Sequence, residues 1–353
     1  MTDTPRFSRR SFCAAVGSLP LLSACGTRQN TGFRPQPSRG ARQVALLVPL
    51  SGPRAPLGQK MAKAVWLSED LGALGPRAAV IDSGGDAETA KDAAARAVAE
   101  GANIIVGPLF RDQTVAVLKV AEDVPVVSLS NDDALAAAGA WVFGVTPAQS
   151  VDAVLRYSKE TGAQRIAMLE TPGALGERAR TTLAKGAPAA KASVLPTVPR
   201  GIPPAEMGAA LRQAGGGALP DILFVPSTAS PALDQAVAAV GTGVTTIGSL
   251  QWSGLPATRL AQLDKACFTG PDPQRFDRLS ASFHAQLDED MGVLGALAVD
   301  AVAFAKSVDA PKRLARSSPL DGLLGTTGFR PDRTCTRALY ILRIDGGGVV
   351  RVA

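Results

Sequence analysis

The stretch VALLVPLSGPRAPLGQKMAKAVWLSED (Val44–Asp70) decides how this 353-residue chain is read. It opens with an unbroken apolar run, VALLVPL (44–50), stopped by Ser51-Gly52-Pro53. A short continuous apolar run ended by turn residues predicts a strand buried on both faces. Behind the turn a helical pattern led by Gly58 covers 58–72. Strand, polar turn and covering helix together form the repeating unit of a parallel sheet.

The unit recurs along the chain. Strands are predicted at AAVIDS (78–83), NIIVGPL (103–109), VPVVSLS (124–130) and WVFGV (141–145), with helices near 87–100 and 112–122. The rhythm then restarts with RIAMLE (165–170), ASVLPTV (192–198), DILFVPS (221–227) and TTIGSLQ (245–251). Helices are predicted near 147–161, 175–186, 204–213 and 231–240. After ACFTGP (266–271) come two successive helices, 273–289 and 291–308, and strands RALYILRI (337–344) and VVRV (349–352). The fold class is α/β, with two Rossmann-like lobes, parallel sheets and a hinge cleft. Lobe one is 43–145 plus 270–308, and lobe two is 146–269 plus 309–353.

Open parallel sheets bind ligands beyond the carboxyl ends of their strands, so two lobes present a cleft between two rows of strand ends. In lobe one those ends supply Ser51, Gly52, Asp82, Phe110, Arg111, Ser128, Ser130 and Asn131 as candidates. In lobe two they supply Thr171, Ser227, Thr228, Gln251 and Trp252. Each also has a plain structural reading, because Gly, Ser and Asn cap helices and make tight turns.

The N-terminus reads as an address. An apolar run from Phe12 to Ala24 is about half the roughly 20 residues a spanning helix needs. Arginines precede it and small residues follow it, as in a signal peptide. Ser8-Arg9-Arg10-Ser11-Phe12 resembles a twin-arginine export signal, with Cys13 where such signals often carry Leu. Leu22-Ser23-Ala24-Cys25 resembles the lipobox of bacterial lipoproteins, which implies cleavage of 1–24 and a lipid on Cys25. Residues 25–42 then form a Gly-, Pro- and Ser-bearing tether with too little apolar surface to fold.

The formal charge is +6, with a pI near 9.3. Three arginines and one aspartate in 1–24, and four arginines in 25–42, account for all of it. The body is therefore neutral, which argues against a nucleic-acid partner; the basic tether suits anionic lipid headgroups. Cys267 and Cys335 remain for the body, and an oxidising periplasm permits a disulfide between them, with two separate buried thiols as the alternative. Two Cys and one His make a poor metal-ligand set, so no metal and no cofactor are expected. His284 lies on an amphipathic helix and is expected at its surface. With no Gly-x-Ser-x-Gly elbow, His-rich metal motif or P-loop, a non-enzymatic protein is expected.

VALLVPLSGPRAPLGQKMAKAVWLSED resembles the start of type I periplasmic binding proteins of the leucine-binding kind. GANIIVGPLFRDQTVAVLKVAEDVPVVSLSND, VFGVTPAQSVDAVLRYSKETGAQRIAMLE, ALAVDAVAFAKSV and the closing Gly-rich turn GTTGFRP are similar to that family's later hallmarks, and the resemblance covers roughly 43–353. VGPLFRDQTVAVL with VPVVSLSND is most similar to the lipoproteins called penicillin-binding protein activators. That likeness implies an anchored periplasmic lipoprotein that contacts and stimulates a peptidoglycan synthase. The family's best-known members carry an additional N-terminal helical-repeat domain that this sequence does not show.

The same fold serves receptors of ABC importers, which hand branched-chain amino acids or similar small solutes to a permease. In such receptors Ser128 and Ser130 would hold a ligand carboxylate, yet Asp132 and Asp133 follow at once and repel anions. Arg111 is the better anion partner, Trp252 the one obvious aromatic wall in lobe two, and Glu170 an acid for an ammonium group. Gly26 behind the lipid Cys favours the outer membrane over the inner. A cleft open to solvent and lined by apolar or self-filled side chains would favour regulation; a closed pocket with paired charge partners would favour transport.

Overall fold

The computed structural model describes residues 43–74, 77–227, 240–241, 243–255, 257–308, 311–346 and 348–353. The segments expected as signal, lipobox and tether, with Cys25, lie outside them, as do Thr228 and nearly all of the helix expected at 231–240.

The opening run forms β1 (Val44–Val48), buried along its whole length. It pairs in parallel with β2 (Ala79–Asp82) on one side and β3 (Ile104–Val106) on the other. β4 (Val126–Ser128) and β5 (Trp141–Val142) complete a five-stranded sheet in the order β2-β1-β3-β4-β5. Side chains alternate across a strand. Leu46 and Val48 therefore join one core with Met61 and Val65 of helix α1 (Ala55–Asp70), whereas Ala45 and Leu47 join another. That second layer is built on Ala90, Ala93, Ala94 and Ala97 of α2 (Ala87–Ala99). Burial on both faces is why the strand reads as continuously apolar. Gly58 lets α1 close over the strand end, since a Cβ there would stand 2.0 Å from the Pro49 carbonyl oxygen.

The second sheet holds β6 (Arg165–Met168), β7 (Ser193–Val194), β8 (Ile222–Val225), β9 (Thr245–Gly248) and β10 (Cys267–Gly270). They are parallel, in the order β10-β9-β8-β6-β7. β7 is shorter than the predicted 192–198 strand because Pro196 lacks a ladder donor; pairing resumes only as the bridge between Leu169 and Val198. Helices α3 (Arg111–Leu118), α4 (Pro147–Thr161) and α5 (Gly173–Gly186) lie at the predicted places. Both sheets belong to one compact unit, Arg42–Ala353.

The C-terminal region differs most from the sequence reading. The helix Gly292–Ser307 returns to the first sheet and packs on α1. GTTGFRP, expected as a turn, supplies a strand. Residues β11 (Leu320–Gly322), β12 (Gly325–Phe329) and β13 (Cys335–Arg337) form a separate antiparallel sheet. The predicted strand 337–344 is thereby divided, and only β14 (Tyr340–Asp345) enters the second sheet, antiparallel to β10, with β15 (Gly348–Arg351) beyond it. The second sheet is thus parallel except at this edge. The segment 320–337 was expected in lobe two, but Leu320, Leu323, Leu324 and Phe329 pack into the core of the first sheet.

A buried ion pair explains that placement. Both Asp300 carboxylate oxygens accept backbone N–H groups, from Leu323 at 2.7 Å and Leu324 at 2.8 Å. Arg337 Nη1 stands 3.7 Å from Asp300 Oδ2, and Arg337 Nη2 donates to the Phe143 carbonyl at 2.9 Å. Burial pushes the Asp300 carboxyl up, opposed by the Arg337 charge and the two backbone donors.

Cys267 and Cys335 are two separate buried thiols, which answers the expectation of a bridge. They sit in different sheets: Cys267 in β10 beneath α4, and Cys335 in β13, where its thiol lies 3.2 Å from the Thr336 carbonyl oxygen. Burial pushes the Cys267 thiol up to about 11 and that of Cys335 upward as well, so neither is an activated nucleophile.

Removing one partner of a buried ion pair leaves the other charge uncompensated. Asp300→Ala should cost about 3–5 kcal/mol in urea unfolding, and the double change Asp300→Leu with Arg337→Met should recover most of that loss. An Asp300→Ala variant as stable as the parent would remove the pair from this role.

Candidate functional site

The strand ends of the two sheets face one another. In the first, Asp82 shapes the loop after β1. Its Oδ1 accepts N–H groups from Leu50 at 2.7 Å, Gly84 at 2.8 Å and Ser51 at 3.3 Å. Burial acts to raise the Asp82 carboxyl, but the Ser51 hydroxyl and these backbone donors hold it below the usual carboxylate range. Ser51 and Gly52 are exposed at the tip, and Gly52 takes a left-handed φ of +76° in the turn. These three residues build the loop rather than offer free ligand groups.

The serines after β4 turn inward. Ser128 is fully buried, and its hydroxyl pairs with that of Thr114 at 2.9 Å. Ser128 Oγ also accepts the Ser130 N–H at 3.3 Å, and Ser130 Oγ accepts the Asp132 N–H at 3.2 Å. Ser128 is thereby engaged inside the lobe, whereas Ser130, although buried, still lines a cavity of the cleft. Arg111 does meet an anion, but an internal one: it pairs with Asp132.

The ion cluster extends across the cleft. Asp132 Oδ1 accepts the Ala134 N–H at 3.0 Å and stands 2.5 Å from Arg178 Nη2, on α5 of the second lobe. Arg178 also reaches Asp133 at 3.4 Å. Burial acts to raise the Asp132 carboxyl, yet the Arg111 hydrogen bond, the Ala134 N–H and the Arg178 charge hold it below the usual range.

The second lobe contributes less than its sequence predicts. Trp252 was expected as a cleft wall and is instead fully buried in the core behind β8 and β9. The helical turn Leu250–Gly254 folds its ring over Gly248, where a Cβ would stand 2.1 Å from the indole. Its Nε1 donates to the Ser227 carbonyl at 3.0 Å. The Thr171 hydroxyl donates to the Leu169 carbonyl at 3.4 Å and lies 3.5 Å from the Ser227 hydroxyl. Glu170 accepts the Arg200 N–H at 3.1 Å. Gln251 is exposed and does face the cleft.

Two cavities lie between the lobes. One, of 270 Å³, surrounds the ion cluster and is bounded by Phe110, Asn131, Leu175 and the cluster itself. The other, of 560 Å³, is mostly apolar, with Leu57, Phe110 and Leu129 from the first lobe, Leu250 from the second, and Leu294 from the helix that follows. Its polar side chains are Lys60, Asn131 and Gln251. Arg54 stacks over the Phe110 ring at 4.0 Å. Among the described residues lining these cavities, the acid is Asp132, and it is already paired.

Of the candidates, Phe110, Arg111, Ser130, Asn131 and Gln251 come together at the cleft. The sequence reading missed Arg178, Lys60 and Arg54. The only signal for Arg178 was its place one helical turn past the Thr171-Pro172-Gly173 strand end. His284 sits on an exposed helix face, 3.7 Å from Asp290, as expected. Among the described residues no group of His, Cys, Asp and Glu could hold a metal ion.

Residues 42–348 match the family described as periplasmic binding protein. No curated protein matches the chain in sequence. A putative branched-chain amino acid ABC transporter from Rhodospirillum rubrum superposes with a TM-score of 0.75 at 16% identity, covering 88% of this chain and 100% of that one. Full-length LpoA from Haemophilus influenzae gives 0.69 at 18% identity and covers 89% of this chain, which spans 59% of LpoA. The LpoA C-domain, from a regulator of PBP1A, gives 0.67 at 17% identity, covering 88% of this chain and all of that domain. At these identities the likeness concerns the fold. Family and neighbours alike are binding proteins or regulators.

A depressed carboxyl stabilises the folded chain fully above the unfolded value of about 3.9, and that contribution is lost as pH falls through the folded value. In a carbon-detected NMR titration Asp132 should titrate below the ordinary carboxylate range, and Arg111→Ala should move its titration upward toward that range. Titration of Asp132 at the ordinary value in the parent would contradict this arrangement.

Proposed function

The chain belongs to the periplasmic binding protein family, and from that premise we propose that it is a non-enzymatic, lipid-anchored envelope protein that regulates peptidoglycan synthesis by contacting a penicillin-binding protein. The observation that carries this reading is the state of the cleft. An α-amino acid needs a donor set for its carboxylate and an acid for its ammonium. Here Ser128 and Ser130 bond internally, and Asp132 is taken up by two arginines. A cleft whose polar groups are bonded to one another suits a body that works through its surface. The likeness to LpoA, whose C-domain comes from a regulator of PBP1A, agrees with it.

The address signals complete the proposal. Export would use the twin-arginine-like segment, a lipid on Cys25 would hold the protein, and Gly26 behind it favours the outer membrane. Residues 25–42 would then give the body reach from the membrane.

A second reading rests on the 560 Å³ apolar groove, which is large enough for a small solute. In it the chain is the receptor of an ABC importer, and its solute is apolar rather than an amino acid.

Purified lipoprotein added to the class A peptidoglycan synthases of the same cell should raise the rate of glycan polymerisation or crosslinking by at least one of them. No effect on any, together with calorimetric binding of a solute from a broad panel, would replace the first reading with the second. Independently, Cys25→Ala should release the protein from the membrane fraction; retention there would discard the lipid anchor.

A further inference from the structure

Asp132 is held in an unusual way for a residue at a strand end facing a cleft. Its side chain is 7% exposed, whereas those of its partners Arg111 and Arg178 are 60% and 24% exposed. The two guanidinium groups come from opposite lobes: Arg111 opens α3 behind β3, and Arg178 lies within α5 behind β6. Each takes a different carboxylate oxygen, Arg111 at Oδ2 and Arg178 at Oδ1. One carboxylate therefore bridges two cations that would otherwise face each other across the cleft, and Asp133 beside Arg178 balances the remaining charge.

We infer that Arg111 and Arg178 form a carboxylate-binding site shared between the lobes, and that Asp132 fills it as a built-in ligand, closing the cleft without a solute. The physical logic is that of any hinged receptor. A ligand shifts the closed state only through contacts it makes better there than in the open one. A carboxylate bridging two lobes is such a contact, and here it is covalently part of the first lobe, so its effective concentration is high and permanent. Asp133, 3.4 Å from Arg178, adds a second hold on the same cation. The 270 Å³ cavity beside the cluster leaves room for a small monocarboxylate once the Asp132 side chain is gone. The inference concerns the body alone and stands whichever partner it contacts.

The test uses the full mature lipoprotein in detergent micelles, with spin labels on Val115→Cys of α3 and Lys185→Cys of α5, both on exposed positions. The parent should give one narrow inter-lobe distance distribution, unchanged by added acetate. Asp132→Ala should shift it to longer, broader distances, and acetate should restore the parental distribution. In the double variant Asp132→Ala with Arg178→Ala, acetate should restore nothing. Asp132→Asn, which keeps the side-chain shape, should also lengthen the distance and guards against a folding artefact. A parental distance in both Asp132 variants would overturn the inference. So would an opened Asp132→Ala that ignores acetate, or one that acetate closes without Arg178.

Discussion

The ion pair between Asp300 and Arg337 is the constraint on which the arrangement of the lobes depends. Two charges with side chains 3% and 0% exposed are tolerable only when each finds several partners. Asp300 finds the N–H groups of Leu323 and Leu324, and Arg337 finds the Phe143 carbonyl and, 5.0 Å away, the Phe143 ring. Each contact names a different piece of chain. The helix Gly292–Ser307, the turn between β11 and β12, β13, and the exit of β5 all meet there. Phe143, Phe304, Phe329 and Trp141 close an aromatic cluster beside it, with ring centroids 5.1–6.0 Å apart. The chain passes between the two sheets beside this knot, leaving the first sheet at Phe143 and entering the second after Arg337.

Beyond that knot the two rows of strand ends meet at the cleft, and there electrostatics takes over from packing. The first lobe presents Asp132 already satisfied by its own Arg111, and the second adds Arg178. Nearby, the larger groove is walled by aliphatic side chains, with Lys60 as its cation. A polar knot and an apolar groove side by side give the cleft two distinct chemistries. Neither resembles a paired carboxylate and ammonium site.

Much of the fold was legible because it rests on local rules. VALLVPL reads as a doubly buried strand since its two faces meet two different helical layers, and Gly58 marks the place where helix and strand touch. The cleft was legible only in outline. Trp252 looked like a wall because an aromatic at a strand end has two destinations, and the turn that folds it back over Gly248 leaves no mark in periodicity. Ser128 and Ser130 looked like ligand groups because hydroxyls that bind a solute and hydroxyls that bind backbone are the same residues. GTTGFRP looked like a turn because its glycines hide a strand whose neighbours lie on both sides of it in an antiparallel sheet.

The sequence by itself determined the alternation of strands and helices, the two successive runs of that unit, and the neutral charge of residues 43–353 behind a basic first stretch. These follow from spacing and composition, which one stretch of chain carries alone. Only the tertiary structure decided that Asp132 belongs to Arg111 and Arg178 together, that segment 320–337 sides with the first sheet, and that Cys267 and Cys335 stay apart. Those outcomes depend on pairs of groups far apart in sequence, whose energies exist only after burial has removed the water that would otherwise satisfy each of them separately.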